Sequence, residues 1–131
     1  MIINSLEDFK TANKYGFNPF LDKIDEMSIH VRVMIQNELF KSDNQFYKYC
    51  WANLPHFCEE TGLKLRSYSA CFVSHILSRG AFPEMRYDIR NINILSLPAH
   101  KQWESERKKD MYIYKKNLLK INKLKNEYRE L

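Results

Sequence analysis

The sequence predicts an α+β fold, and three observations carry that prediction. Apolar residues recur at three- and four-residue steps near both ends of the chain, as on one face of an amphipathic helix. Two short central stretches, residues 69–75 and 92–97, have strand-forming composition and no helical stripe. A chain of 131 residues, 44% hydrophobic and 14% aromatic, has room for one modest core that helices and strands must share.

The elements follow in order. From residue 19 to about 40, Phe20, Ile24, Met27, Val31, Met34 and Ile35 form one helical stripe. Ser42, a good N-cap, opens a second short helix running to about Asn53, and Pro55 interrupts it. "EETGLKL" reads as a turn built on Gly62. "SYSACFVSHIL" supplies the first strand, residues 69–75, and "INILSL" the second, residues 92–97. Between them, residues 77–90 contain Gly80 and Pro83 and read as a long ordered loop. Ser96 is placed to cap the next helix, with Pro98 comfortable in its first turn.

From Ala99 to Leu131 there is neither Gly nor Pro. Met111, Tyr114, Leu118, Ile121, Leu124, Tyr128 and Leu131 form a stripe expected to pack on the N-terminal helices. Its near-heptad period also permits a homodimer through the C-terminal helix. The chain thus reads as a single domain over 1–131: a helical part (1–55), a strand–loop–strand–helix core (56–104) and a C-terminal helix (105–131).

Several classes are excluded. No run of eighteen apolar residues exists to span a membrane. The opening "MIINSLEDFK" is acidic where a signal peptide needs a basic region and an apolar run, so an intracellular protein is expected. Cys50, Cys58 and Cys71 are odd in number and irregular in spacing, which suits a reducing compartment better than a disulfide framework. The net charge of +5 resides in residues 101–131, with ten Lys/Arg against five Asp/Glu; the first hundred residues balance. A basic terminal segment points to a polyanionic partner, most simply nucleic acid.

The chemistry concentrates in "CFVSHILSRGAFPEMRYDIRNINILSLPAHKQW", residues 71–103. Strand, loop, strand and helix, with His75 closing the first strand and His100 in the first turn of the helix, bring two imidazoles together. Asn91 stands at the mouth of the second strand, nine residues before His100. Phosphodiester hydrolysis needs a base to activate water, a cation for the developing charge and a group to aim the base. Histidine titrates near neutrality and suits the first role. A divalent ion suits the second, and an asparagine hydrogen bond can orient an imidazole or brace a loop.

Arg79, Arg86 and Arg90 lie in or beside the loop, and Lys101 follows His100. Arginine's planar fork matches phosphate oxygens, and salt bridging to Glu84 and Asp88 is the equal alternative. Tyr112 and Tyr114, interleaved with lysines, could stack on bases, although core packing is the stronger expectation. His30 and His56 read as structural, Trp51 and Trp103 as core.

The stretch from Cys58 to Glu104 resembles the HNH endonucleases, whose ββα-metal motif reads His, Asn, His. His75 in "SHILSRG", Asn91 in "RNINILSL" and His100 in "PAHKQWE" fall at those positions. "ANLPHFCEETGLKL" looks like the family's zinc-knuckle lead-in, and "SHILSRGAFPEMRYD" is similar to phage recombination endonucleases of the NinG type. The resemblance implies a metal-dependent DNA endonuclease, plausibly phage-encoded. His75 would be the general base, and Asn91 would hold the loop and orient it. His100 would bind one divalent ion, Mg²⁺ or Mn²⁺, with Glu104 on the same helix face as a second ligand.

Two departures from the family pattern shape the expectation. Ser74 stands where relatives often carry an Asp or His metal ligand, and a hydroxyl is a poorer one. The zinc-knuckle positions hold Cys58, Thr61, Ser96 and Ala99, and one thiolate cannot hold a tetrahedral zinc. No structural zinc is therefore expected, and apolar packing by Leu63, Leu65, Leu95 and Leu97 should replace it. The alternative on this resemblance is a scaffold that has lost cleavage and binds nucleic acid or a protein.

Overall fold

A computed structural model of the chain describes residues 5–8, 10 and 26–131. The element order is α1 (Ile29–Leu39), α2 (Asp43–Asn53), β1 (Val73–His75), β2 (Ile92–Ile94), α3 (Leu97–Trp103) and α4 (Tyr112–Tyr128). This is the expected α+β fold.

Ser28 starts α1: its hydroxyl accepts the Val31 N–H at 3.3 Å, satisfying a donor the helix cannot. Phe20 and Ile24, and the expected start at residue 19, lie outside the described residues. Among the described ones the helix begins ten residues later than the stripe suggested. Its buried face carries Arg32 and Gln36 beside Ile29, Val31 and Ile35, while Met34 is exposed. In α2, Ser42 accepts from the Gln45 N–H (3.2 Å), and the Gln45 side chain accepts from the Lys41 N–H (2.7 Å). This reciprocal pairing closely follows a capping box. The helix stops at Leu54, where Pro55 forces extended backbone.

β1 and β2 pair antiparallel, Val73 with Ile94, Ser74 with Asn93 and His75 with Ile92. Both strands are shorter than expected. Residues Ala70–Phe72 form a 3₁₀ turn instead of extending β1. β2 ends where the Leu95 N–H turns to the Phe72 carbonyl (2.9 Å). Glu59 completes the outer edge of β2, donating its N–H to the Ile94 carbonyl and accepting the Ile94 N–H on its carboxylate.

Paired residues of an antiparallel ladder share a face, and neighbours along a strand alternate. Val73, Ile92 and Ile94 pack with Ile35, Phe46 and Cys50 of α1 and α2. On the other face Asn93 accepts from Asn117 of α4 at 2.8 Å. The hairpin is therefore a layer between α1–α2 and α4. A second cluster joins Ile76, Leu95, Ala99, Trp103, Met111 and Ile113, packing α3 on the start of α4.

The C-terminal third holds two helices joined by a turn. α3 ends at Trp103, a 3₁₀ turn spans Glu106–Asp110, and α4 starts at Tyr112. With no Gly or Pro at the break, side chains close it. The Ser105 hydroxyl accepts from the Arg107 N–H, and the Glu60 carboxylate accepts from the Tyr112 and Ile113 N–H groups at 2.8 and 2.9 Å. A carboxylate at a helix N-terminus satisfies orphan donors and complements the dipole. α4 then buries Ile113, Asn117 and Leu124, leaving Leu118 exposed. No described helix is long and apolar enough to cross a membrane.

The turn before β1 is closed by hydrogen bonds. Gly62, at φ 78°, donates its N–H to the Cys58 carbonyl, and the Cys58 N–H reaches Leu63. Cys58 is buried with Ala99. Burial pushes its thiol up, but side-chain and backbone hydrogen bonds from Ser96 and Thr61 outweigh that and hold it below the usual range. Leu65 and Leu95 are buried as expected, whereas Leu63 and Leu97 are exposed.

Candidate active site

β1 delivers His75 at its end, half-buried against Phe46 and Tyr47 of α2 at centroid distances of 6.4 and 6.0 Å. Its Nε2 meets the Arg86 carbonyl at 2.9 Å. A carbonyl only accepts, so Nε2 carries the hydrogen, and in the neutral ring Nδ1 keeps the lone pair. Burial holds the imidazole pKa below its ordinary value; the Arg86 carbonyl opposes this, and the charges of Arg79 and His100 reinforce it. The ring is thereby kept neutral and basic at Nδ1. The indole N–H of Trp103 donates to the His75 carbonyl at 3.0 Å, tying the strand end to α3.

Asn91 is fully buried and braces the loop. Its Oδ1 accepts from the Leu77 N–H (2.7 Å), and its Nδ2 donates to the Leu77 and Met85 carbonyls (3.0 and 3.3 Å). These bonds fix both limbs of the loop, and Arg86, whose carbonyl aims His75, follows Met85 directly. The Asn91 side chain thus bonds to the loop backbone at Leu77 and Met85.

His100, on α3, donates from Nδ1 to the Cys71 carbonyl, and its Nε2 stands 3.0 Å from Glu104 Oε1, an ion pair when the ring is protonated and two converging donor atoms when it is not. A backbone carbonyl fixing the far nitrogen is the usual support of a metal-ligating histidine. His100 Nε2 and Glu104 Oε1, 3.0 Å apart, are the side-chain atoms that would hold a divalent ion here. Among the described residues, no group of three or more His, Cys, Asp or Glu side chains converges.

Ser74 requires a correction. Strand alternation puts it on the face opposite His75, with Asn93, and it is 1% exposed. Its buried hydroxyl has no hydrogen-bond partner among the described residues. It is an interior residue, and the ligand set narrows to His100 and Glu104.

The arginines divide. Arg90 is drawn into an ion network, reaching Glu127 at 2.6 Å and Asp88 at 3.1 Å, while Arg32 meets the same carboxylates at 2.9 and 3.5 Å. Burial alone would lower the Arg90 pKa, but the two carboxylates outweigh it and raise it. Arg90 therefore joins α1, the loop and α4, and is not an open phosphate contact; here the salt-bridge alternative prevails. Arg86 stacks its guanidinium over Tyr87 at 4.6 Å and bonds the Pro83 carbonyl at 2.7 Å. Arg79 is exposed and pairs with Asp43 at 2.7 Å. Lys101 is exposed on α3. Tyr114 packs on Trp103, whereas Tyr112, expected in the core, is 64% exposed. His56 stacks flat on Trp51 at 3.8 Å, a structural role as expected.

A cleft of about 390 Å³ opens beside His75. Ile76, Leu77, Phe82 and Trp103 give it apolar walls, and Glu104, Arg79, Lys108 and Lys125 line it as well. The general-base candidate and one candidate metal ligand thus face a common, predominantly cationic space. Lys108 and Lys125 carried no positional signal in the sequence, because a lysine that enters a cleft looks like one that faces water. The chain matches no family model, no curated protein and no solved structure.

Proposed function

We propose that this chain is a metal-dependent endonuclease of HNH type that hydrolyses phosphodiester bonds in DNA. One observation carries the reading: His75, tautomer-fixed by the Arg86 carbonyl and kept neutral by burial, shares a cationic cleft with Glu104, whose carboxylate meets His100 Nε2. In this reading a water against the scissile phosphate gives its proton to His75 Nδ1. Asn91 and Trp103 keep the ring in place from the loop and from α3. His100 and Glu104 would hold one divalent ion, and such an ion would supply positive charge for the departing oxygen.

The two-residue ligand set favours one second reading, a module that binds DNA without cutting it. A supercoiled-plasmid assay with Mg²⁺, Mn²⁺ or EDTA separates the two. The nuclease reading expects nicking with a divalent ion and none with EDTA. Salt-sensitive binding without nicking under any metal supports the binding module.

A further inference from the structure

The cleft beside His75 is lined by two lysines that have no ion-pair partner among the described residues. Lys108, on the turn between α3 and α4, and Lys125, on α4, both line it and are both half-buried. Lys108 stands over the Trp103 ring at 5.6 Å. Among the described residues neither ammonium has a carboxylate within ion-pair distance, whereas Arg79 across the cleft is already matched by Asp43 at 2.7 Å. Two ammonium groups lining one space, with no ion-pair partner among the described residues, give that space a positive potential that draws an anion. The one carboxylate on the cleft wall, Glu104, is engaged with His100.

From this geometry we infer that Lys108 and Lys125 form a phosphate-binding subsite for the DNA backbone flanking the bond at His75. The inference rests on the nuclease reading for the bond being cut, but not for the binding itself. Lysine suits the task as a mobile point charge, and needs no fixed fork where the phosphate position varies with DNA form. It also gives the C-terminal part of the chain a role: α4, anchored by Glu60 at its start and Glu127 near its end, carries Lys125 to the cleft. The apolar walls beside the two lysines provide a surface for the sugar and base attached to that phosphate.

The test is equilibrium binding of a fluorescent 30-base-pair duplex by the full chain, across a KCl series in EDTA so that nothing is cut. Each phosphate contact contributes about 0.9 to the slope of log K against log salt. Lys108→Gln with Lys125→Gln is expected to reduce the slope by about 1.8 and to weaken binding at least tenfold at low salt. Lys108→Arg with Lys125→Arg should keep the wild-type slope. Because the Arg pair preserves charge and bulk, its retained slope separates lost contacts from lost fold. A wild-type slope in the Gln pair overturns the inference, as does a wild-type chain that shows no salt-dependent binding. The same preparations, assayed for plasmid nicking, keep the two proposals apart. Wild-type nicking with an unchanged slope in the Gln pair removes only the subsite. A reduced slope with no nicking by any wild-type preparation removes only the nuclease.

Discussion

His75 is the residue whose ionisation the fold controls most plainly. It can accept a proton only when neutral, and burial moves its pKa below the ordinary 6.5. The acidic limb of the kcat/KM profile should therefore fall below pH 6.5, measured as nicking rate in buffers from pH 5 to 8. The same depression bears on stability. The unfolded chain takes up a proton near pH 6.5, whereas the folded chain resists until a lower pH. The His75 contribution is thus present above 6.5 and lost as pH falls through the folded value. Asn91 makes a second, independent prediction. Asn91→Ala strands the Leu77 N–H and C=O and the Met85 carbonyl in the interior, at a cost of about 2–4 kcal/mol in urea unfolding. Asn91 was legible in the sequence as a loop or orienting residue. That it acts only through the backbone was not, because its spacing says nothing of which atoms lie between it and His75.

At the scale of elements, the helices that cap themselves were readable and those that borrow a cap were not. Ser42 and Gln45 sit in sequence where their hydrogen bonds form, so α2 was found close to its true bounds. The start of α4 depends on Glu60, some fifty residues earlier, and no local pattern announces it. The apolar stripe then assigned Leu118 to the core, where Asn117 enters instead because Asn93 awaits it across the hairpin. Glu60→Ala should cost about 1 kcal/mol by removing the cap, read as a shift in the urea midpoint. The Arg32–Asp88–Arg90–Glu127 network is the other long-range device. Burial pushes the Glu127 carboxyl up, and Arg90 and Arg32 more than reverse that, holding it below the ordinary range. Its stabilising effect is accordingly present above the ordinary carboxylate pKa and lost as pH falls through the lower folded one. Glu127→Ala removes a carboxylate that both guanidinium groups share and should cost about 3 kcal/mol. A loss below about 1 kcal/mol would show that their remaining partners suffice.

The described part of the molecule is a small hairpin held between helices, with the candidate base at the end of β1 and the excess positive charge in the last thirty-one residues. Composition showed where the charge lies along the chain; only the fold brings Lys108 and Lys125 to the same cleft as His75. The break after α3 makes this possible, since a continuous helix would carry residues beyond Trp103 straight onward. The most direct measurement is nicking of supercoiled plasmid in Mn²⁺ by wild type and by His75→Ala, with EDTA as control. The account predicts metal-dependent nicking by the wild type and a loss of about 10²–10⁴-fold in His75→Ala, with the fold intact by circular dichroism. Metal-dependent nicking that survives His75→Ala undiminished would contradict it.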